Sequence, residues 1–343
     1  MALPKVVGIT LTTLTIPCFT APIPTPSPSE SLTRRGYTVD PTPDDHYSGD
    51  GVYAWPGQGK DQDGKNKNPI YYCWVTAEAA DKYSDILEDA IKKWEAALYP
   101  NSALRIELYP DTHGNPHVVC KDLPQPVDAL CLTDGGEEGS SVSTTGYNWI
   151  DQGQSYRHYV YMVGYGGKSH DEAVLDLAHE LGHVMGLGHE HQRDDRDDNI
   201  IFECRYLSGV DEAYKAIKDS NDPAFADLGD DEEAKLDRTC DSWDLADKYF
   251  KNAKPFVLGR NVGYPFGQFK QNGNFDYNSI MIYSTWDNSV DVPDDKDNLD
   301  TAEILRYDQN GNPVRIFQGG NEDPALAGPT TGDVAAVVGL YPK

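Results

Sequence analysis

His179-Glu180-Leu181-Gly182-His183-Val184-Met185-Gly186-Leu187-Gly188-His189 is the most informative stretch of the chain. Residues four apart on a helix share a face, so His179 and His183 can present their rings to one point. Glu180 sits one step round the same helix. Gly186 can take the left-handed conformation that ends a helix, and His189 can then turn back toward the first two histidines. The helix itself is legible. Ser169 and Glu172 have the spacing of a capping box, and Val174, Leu175, Ala178, Leu181, Val184 and Met185 form one apolar stripe.

Three imidazoles from one short segment suit a tetrahedral Zn²⁺ and leave its fourth position open to water. The spacing predicts one zinc ion per chain, held by His179, His183 and His189. Glu180 is placed to take a proton from that water and return it to a leaving amine. The extended pattern H-E-x-x-H-x-x-G-x-x-H is that of the metzincins, and it predicts hydrolysis of peptide bonds.

The rest of the chain frames this helix. It has 343 residues, 56 of them acidic and 29 Lys or Arg, for a net charge of −27. That length allows a substantial core. The charge opposes binding to nucleic acid or an anionic membrane, since phosphate recognition needs a basic surface. Lys5, the apolar-leaning run from Val6 to Phe19 and Ala21 read as a secretory signal peptide over 1–21. A Pro-rich linker or propeptide follows over 22–35, ending in the dibasic pair Arg34-Arg35. Residues 36–343 are then the catalytic domain.

Ile70 to Val75 reads as a buried strand, and Thr76 caps a helix running to about Leu98, where Pro100 and Asn101 stop it. Leu104–Leu108, Val118-Val119 and Tyr159–Val163 carry further strand signals. After Gly186 the chain is acidic and irregular to about Asn274, with amphipathic stretches near 213–218 and 246–250. Six cysteines are present. With Cys18 in the signal segment five remain, so at least one is unpaired within the chain. Proximity suggests Cys120 with Cys131 and Cys204 with Cys240, although spacing alone does not fix connectivity.

The run from His179 through His189-Glu190-His191-Gln192-Arg193-Asp194-Asp195-Arg196-Asp197 resembles the zinc motif of the astacin family. Phe275-Asp276-Tyr277-Asn278-Ser279-Ile280-Met281-Ile282-Tyr283 is similar to that family's second block. Asp308 to Pro313 and Thr331 to Tyr341 are looser matches. The resemblance spans roughly 70–341. It implies an α+β, metzincin-like zincin: an upper twisted sheet with two long helices, the zinc helix at the cleft floor, and an irregular α-rich lower subdomain. It implies that Met281 floors the metal site and that Tyr283 is a fifth zinc ligand that stabilises the oxyanion. It also implies that Glu190 anchors the mature N-terminus. Substrates would be proteins or peptides bound as an added strand, with Tyr159–Val163 as the expected edge.

There are departures. Ile282 stands where the family usually has His, no cysteine follows the first helix, and the region 204–274 is longer than usual. Tyr47-Ser48-Gly49-Asp50 is similar to a latency motif of the family, while Gly49 to Trp55 also looks like the start of a mature domain. Gln318-Gly319-Gly320 fills the loop in which some relatives carry an Arg selecting acidic residues, so no such preference is claimed. Two other readings remain: a metzincin outside the astacins, in which Tyr283 is uninvolved, and a secreted zinc protein that binds without cleaving.

Overall fold

The computed structural model describes residues 36–38, 52–57, 66–110, 117–123, 128–137, 139–148, 154, 156–261 and 270–343. Every described residue lies in one compact unit, 33–343. The signal and linker segments, the dibasic pair and Tyr47-Ser48-Gly49-Asp50 lie outside the described residues.

In chain order the strands are β1 (Gly36–Thr38), β2 (Val52–Tyr53), β3 (Asn68–Trp74), β4 (Leu104–Leu108), β5 (Leu130–Gly136), β6 (Val142–Ser143), β7 (Tyr147–Asn148) and β8 (His158–Val163). They continue as β9 (Ile200–Phe202), β10 (Lys270–Asn272), β11 (Ile304–Tyr307) and β12 (Pro313–Val314). The helices are α1 (Ala77–Leu98), α2 (His170–Val184), α3 (Arg196–Asn199), α4 (Val210–Lys218), α5 (Glu232–Cys240), α6 (Trp243–Tyr249) and α7 (Thr331–Leu340).

The main sheet has the order β4-β3-β5-β8-β6. Its first four strands are parallel, which requires crossover connections, and α1 supplies the one between β3 and β4. Thr76 Oγ1 accepts from Ala79 N at 3.1 Å, so the expected cap is present. The buried positions Tyr83, Leu87, Ala90, Trp94 and Leu98 of α1 follow the helical period and face α2. The Trp94 indole N–H donates to Ala178 O at 2.7 Å, so the two long helices are joined by a buried hydrogen bond as well as by apolar contact. The chain is therefore α+β, with a five-stranded main sheet, three smaller sheets among the described residues and two long packed helices. Among the described residues no helix is long and apolar enough to cross a membrane.

Beyond α2 the chain builds a second apolar cluster from α4, α5, α6 and the 3₁₀ segment Lys251–Phe256, including Leu207, Ile217, Leu236, Ala246 and Phe256. This is the expected α-rich region. The amphipathic stretches near 213–218 and 246–250 fall in α4 and α6, while α5 is an element the sequence reading did not name.

Three expectations are corrected. Cys120 pairs with Cys73, not with Cys131, because β3 and the turn after Val119 lie side by side, a proximity that chain separation hides. Cys131 is a buried free thiol, and burial pushes its pKa up to about 12. Cys204–Cys240 forms as expected. Val118-Val119 contributes a single bridge to Trp74 rather than a strand, since the chain turns at Cys120. Finally, Tyr159–Val163 is not the sheet edge. β8 is interior, and the short antiparallel β6 covers it as the outermost strand.

Candidate active site

The site is built on α2. Ser169 Oγ accepts from Glu172 N, and the Glu172 carboxylate accepts from Ser169 N, so the capping box is complete. At the other end Gly186 has φ +100°, a conformation that a residue with a Cβ rarely adopts, and its N–H returns to His183 O at 2.7 Å. The last carbonyls of α2 would be orphaned by this turn. Two of the carbonyls at this end are taken up by side chains: the Trp55 indole donates to Val184 O at 2.7 Å and the Tyr341 hydroxyl to Met185 O at 3.0 Å. Residues near the two ends of the described chain thus fix the point at which the chain turns toward His189.

The turn brings the three histidines together. His189 Nε2 lies 3.2 Å from His179 Nε2 and 3.0 Å from His183 Nε2. Each ring's other nitrogen is occupied. His179 Nδ1 donates to Ile280 O at 2.7 Å, His183 Nδ1 to Leu187 O at 2.8 Å, and His189 Nδ1 to Gln192 Oε1 at 3.1 Å. The Nδ1 protons fix the tautomer, so three Nε2 lone pairs face one point with no proton among them. Burial holds all three rings neutral, pulling His179 down to about 4 and His183 to about 3, and His189 well below its usual value. Converging lone pairs repel unless a cation lies between them. Ligands about 2.0–2.1 Å from a tetrahedral Zn²⁺ stand roughly 3.3 Å apart, close to the separations seen. The donor set therefore fits a divalent metal ion.

Among the described residues the other close group of ligand-type side chains is Cys73, Cys120 and Cys131, but two of these are consumed by the disulfide.

Glu180 is buried beside the histidines. Its Oε2 accepts from Ser143 Oγ at 2.6 Å, and burial pushes its pKa up to about 7, the Ser143 hydrogen bond opposing the shift. Tyr283 packs over the same rings, 4.8 Å from His189 and 4.5 Å from His191 between centroids. Burial raises its phenol well above the usual range, so it remains a donor at neutral pH. Met281 is buried and its carbonyl accepts from Glu190 N at 2.9 Å. Ile282, where the family resemblance expects His, is fully buried with Ile200, Phe275, Ile304 and Ile316, surroundings that suit an aliphatic side chain.

Glu190 is also buried. Its Oε1 accepts from Asp276 N at 2.9 Å and faces Arg193 Nη1 at 3.3 Å. The carboxylate thereby joins the segment after His189 to the block containing Met281.

Four residues at the site were given no role there by the sequence reading. Ser143 lies on the edge strand and carries no sequence signal of its own. His191 and Gln192 fall inside the quoted block. His191 stacks on His189 at 4.7 Å and donates to Pro255 O at 3.0 Å, while the Gln192 amide N–H donates to Val257 O at 3.2 Å. Gln318 Nε2 donates to Ile280 O at 3.1 Å and lies 2.8 Å from His179 Nδ1, behind the first of the three histidines.

These groups open on a cleft of about 480 Å³ between β6 and the segment Lys251–Phe256, lined by Ser143, Glu180, His183, His189 and Tyr283 among others.

Residues 168–225 match the family model described as Astacin, a peptidase family. No curated protein matches. Among solved structures the chain is similar to high choriolytic enzyme 1, a hatching enzyme zinc-protease from Oryzias latipes (medaka fish). The identity is 15%, 84% of this chain and 94% of that one are covered, and the TM-score is 0.45. It is also similar to myroilysin in two structures. The first has 14% identity, 84% and 96% coverage and a TM-score of 0.41. The second has 16% identity, 84% and 86% coverage and a TM-score of 0.38. The matched segment 168–225 holds α2, all three converging histidines and Glu180, so the similarity to the astacin peptidases lies in the residues that build this site.

Proposed function

We propose that the chain is a secreted endopeptidase that holds one Zn²⁺ on His179, His183 and His189 and uses Glu180 as its general base. The observation that carries the reading is the convergence of three neutral Nε2 lone pairs beside a buried carboxylate in an open cleft. Bound Zn²⁺ supplies Lewis acidity, which acidifies water and polarises a carbonyl. The chain supplies the rest. A substrate backbone pairs with the exposed edge of β6, where Val142 is 47% exposed. Glu180, held by Ser143 and with a proton affinity near neutrality, takes a proton from water and passes it to the leaving amine. Tyr283 adds its phenol to the ligand set or donates it to the oxyanion that forms on the scissile carbonyl. Met281 and Gly186 shape the floor and the turn, and Glu190 braces the segment after His189.

Residues 1–21 are proposed as the signal, 22–35 as linker or propeptide, and 36–343 as the catalytic domain. Lys5 and the apolar run after it support this, and the two disulfides suit an oxidising compartment. The net charge of −27 weighs against nucleic acid and anionic membranes as partners. The test is to express the full chain in a secreting host, sequence the N-terminus of the protein in the medium and assay it on casein with and without chelator. The reading expects a start beyond residue 21 and chelator-sensitive hydrolysis. Retention inside the cell, or no hydrolysis after zinc is supplied, contradicts it.

A further inference from the structure

We infer that His191 is a positioning residue for Tyr283: through its two ring nitrogens it ties the Tyr283 backbone to the 3₁₀ segment Lys251–Phe256 and so sets where the phenol stands beside the three histidines. It rests on the peptidase reading above and deepens it. His191 is fully buried. Its Nε2 lies 3.0 Å from Pro255 O and its Nδ1 lies 3.4 Å from Tyr283 N. A peptide N–H can only donate and a peptide carbonyl can only accept. Both neighbours therefore call for the same form of the ring, with its proton on Nε2 and a lone pair on Nδ1. That form has one donor and one acceptor, and both are used.

The Tyr283 amide is thus held by a side chain, where most backbone amides are held by main chain. Where that peptide lies depends on which residue stands at 191. Its neighbours are held otherwise. Ile282 N donates to Ser279 O at 3.3 Å and Ser284 N to Asp287 Oδ2 at 2.6 Å, each within a local turn. Met281 O accepts from Glu190 N at 2.9 Å. Glu190 and His191 therefore grip Met281 and Tyr283 in turn, and the second grip is the one carried by a side chain. The far anchor is itself fixed: Phe256 O accepts from Arg196 and Val257 O from Gln192, on either side of which Pro255 has little room to move. The ring also bears on the phenol directly. His191 stacks on His189 with 4.7 Å between centroids, and the Tyr283 ring lies 4.5 Å from His191, 4.8 Å from His189 and 5.6 Å from Phe256. Pro255 and Tyr283 both line the cleft, so one buried ring joins a residue of its lower wall to the phenol beside the histidines.

The test compares His191→Gln and His191→Phe in the zinc-loaded full chain. Glutamine can offer an acceptor to Tyr283 N and a donor to Pro255 O, whereas phenylalanine keeps a ring and offers neither. His191→Phe should lower kcat by about 10–100-fold with KM changed by less than about twofold, since a donor out of place is missed as charge develops on the substrate oxygen. His191→Gln should recover most of that loss. In His191→Phe/Tyr283→Phe the loss should match that of Tyr283→Phe alone, because a misplaced donor and an absent one are the same defect. A residue needed only for stability would give additive losses. Hydrogen exchange of the unaltered protein needs no variant: the Tyr283 amide should exchange with the slow amides of the core, and much faster in His191→Phe. Full kcat in His191→Phe, additive losses in the double variant, or a fast-exchanging Tyr283 amide in the unaltered protein overturns the inference. Cleavage of no peptide by the unaltered protein overturns the peptidase reading instead, and hydrogen exchange still decides whether His191 holds Tyr283.

Discussion

Gly182 of α2 and the Met281 side chain occupy one space: a Cβ on Gly182 would collide with Met281 Sδ and press on the Trp94 ring. The glycine between His179 and His183 is what lets the methionine lie against the helix that carries these histidines. Gly182→Ala should therefore destabilise the fold, even though alanine favours helix, by about 1–3 kcal/mol as overpacking does. It should also weaken metal binding. Met281→Ala in the same chain should recover part of the loss, a coupling that a double-mutant cycle of urea unfolding measures. Additive effects would mean that the two residues do not share the space.

Glu180→Gln keeps the size of the side chain and removes the base. Metal content should remain at one equivalent while kcat falls by about 10²–10⁴-fold. Tyr283→Phe should likewise leave the metal in place, lowering kcat with little change in KM, because its donor matters most as negative charge develops on the substrate oxygen. A variant at either position with full activity would remove that residue from the mechanism.

Gln192 links His189 to the lower subdomain, accepting from His189 Nδ1 and donating to Val257 O. Loss of such support typically costs about 10–100-fold in metal affinity. Gln192→Ala should show about that loss in competition with a chromophoric chelator. Unchanged affinity would show that stacking on His191 alone orients His189.

His158 provides a pH test away from the metal. Its Nε2 accepts from Asn148 N at 3.0 Å, and burial, aided by the charge of Arg157, pulls its pKa down to about 3. The unfolded chain takes up a proton as pH falls below about 6.5, while the folded chain does not until about pH 3. The stability contributed by neutral His158 is thus complete above about pH 6.5 and is lost as pH falls through that window. His158→Gln keeps the acceptor and removes the titration. As pH falls from about 6.5 to 5, the loss of stability relative to this variant should steepen toward about 1.4 kcal/mol per pH unit. Parallel stability curves from urea unfolding would contradict it.

The helices and the cluster of three histidines were readable because their signals are local. The Ser169–Glu172 box, the stripe on α2 and Gly186 each act within a few residues. The features missed depend on neighbours distant in sequence. The pairing of Cys73 with Cys120 follows from β3 lying beside the turn after Val119, and the two cysteines are 47 residues apart. The edge strand was misplaced because β6 has two residues and little hydrophobic pattern, whereas β8 has the pattern of a strand and is interior for that reason. Ser143 reaches Glu180 across 37 positions, and no spacing rule connects them. Strand β5 begins with Leu130-Cys131-Leu132 but ends in Asp134-Gly135-Gly136, which reads as a loop. Helix α5 has a mostly polar surface and only a short buried face at Lys235, Leu236, Thr239 and Cys240, too little to stand out by period.

The central claim is that three Nε2 atoms hold one ion on which hydrolysis depends. Elemental analysis of the purified secreted protein, paired with peptide hydrolysis before and after dialysis against a chelator, tests it most directly. One equivalent of zinc per chain is expected, lost in His183→Ala, with hydrolysis abolished by the chelator and restored by zinc. A protein without stoichiometric metal, or hydrolysis that survives complete removal of the metal, would contradict the account.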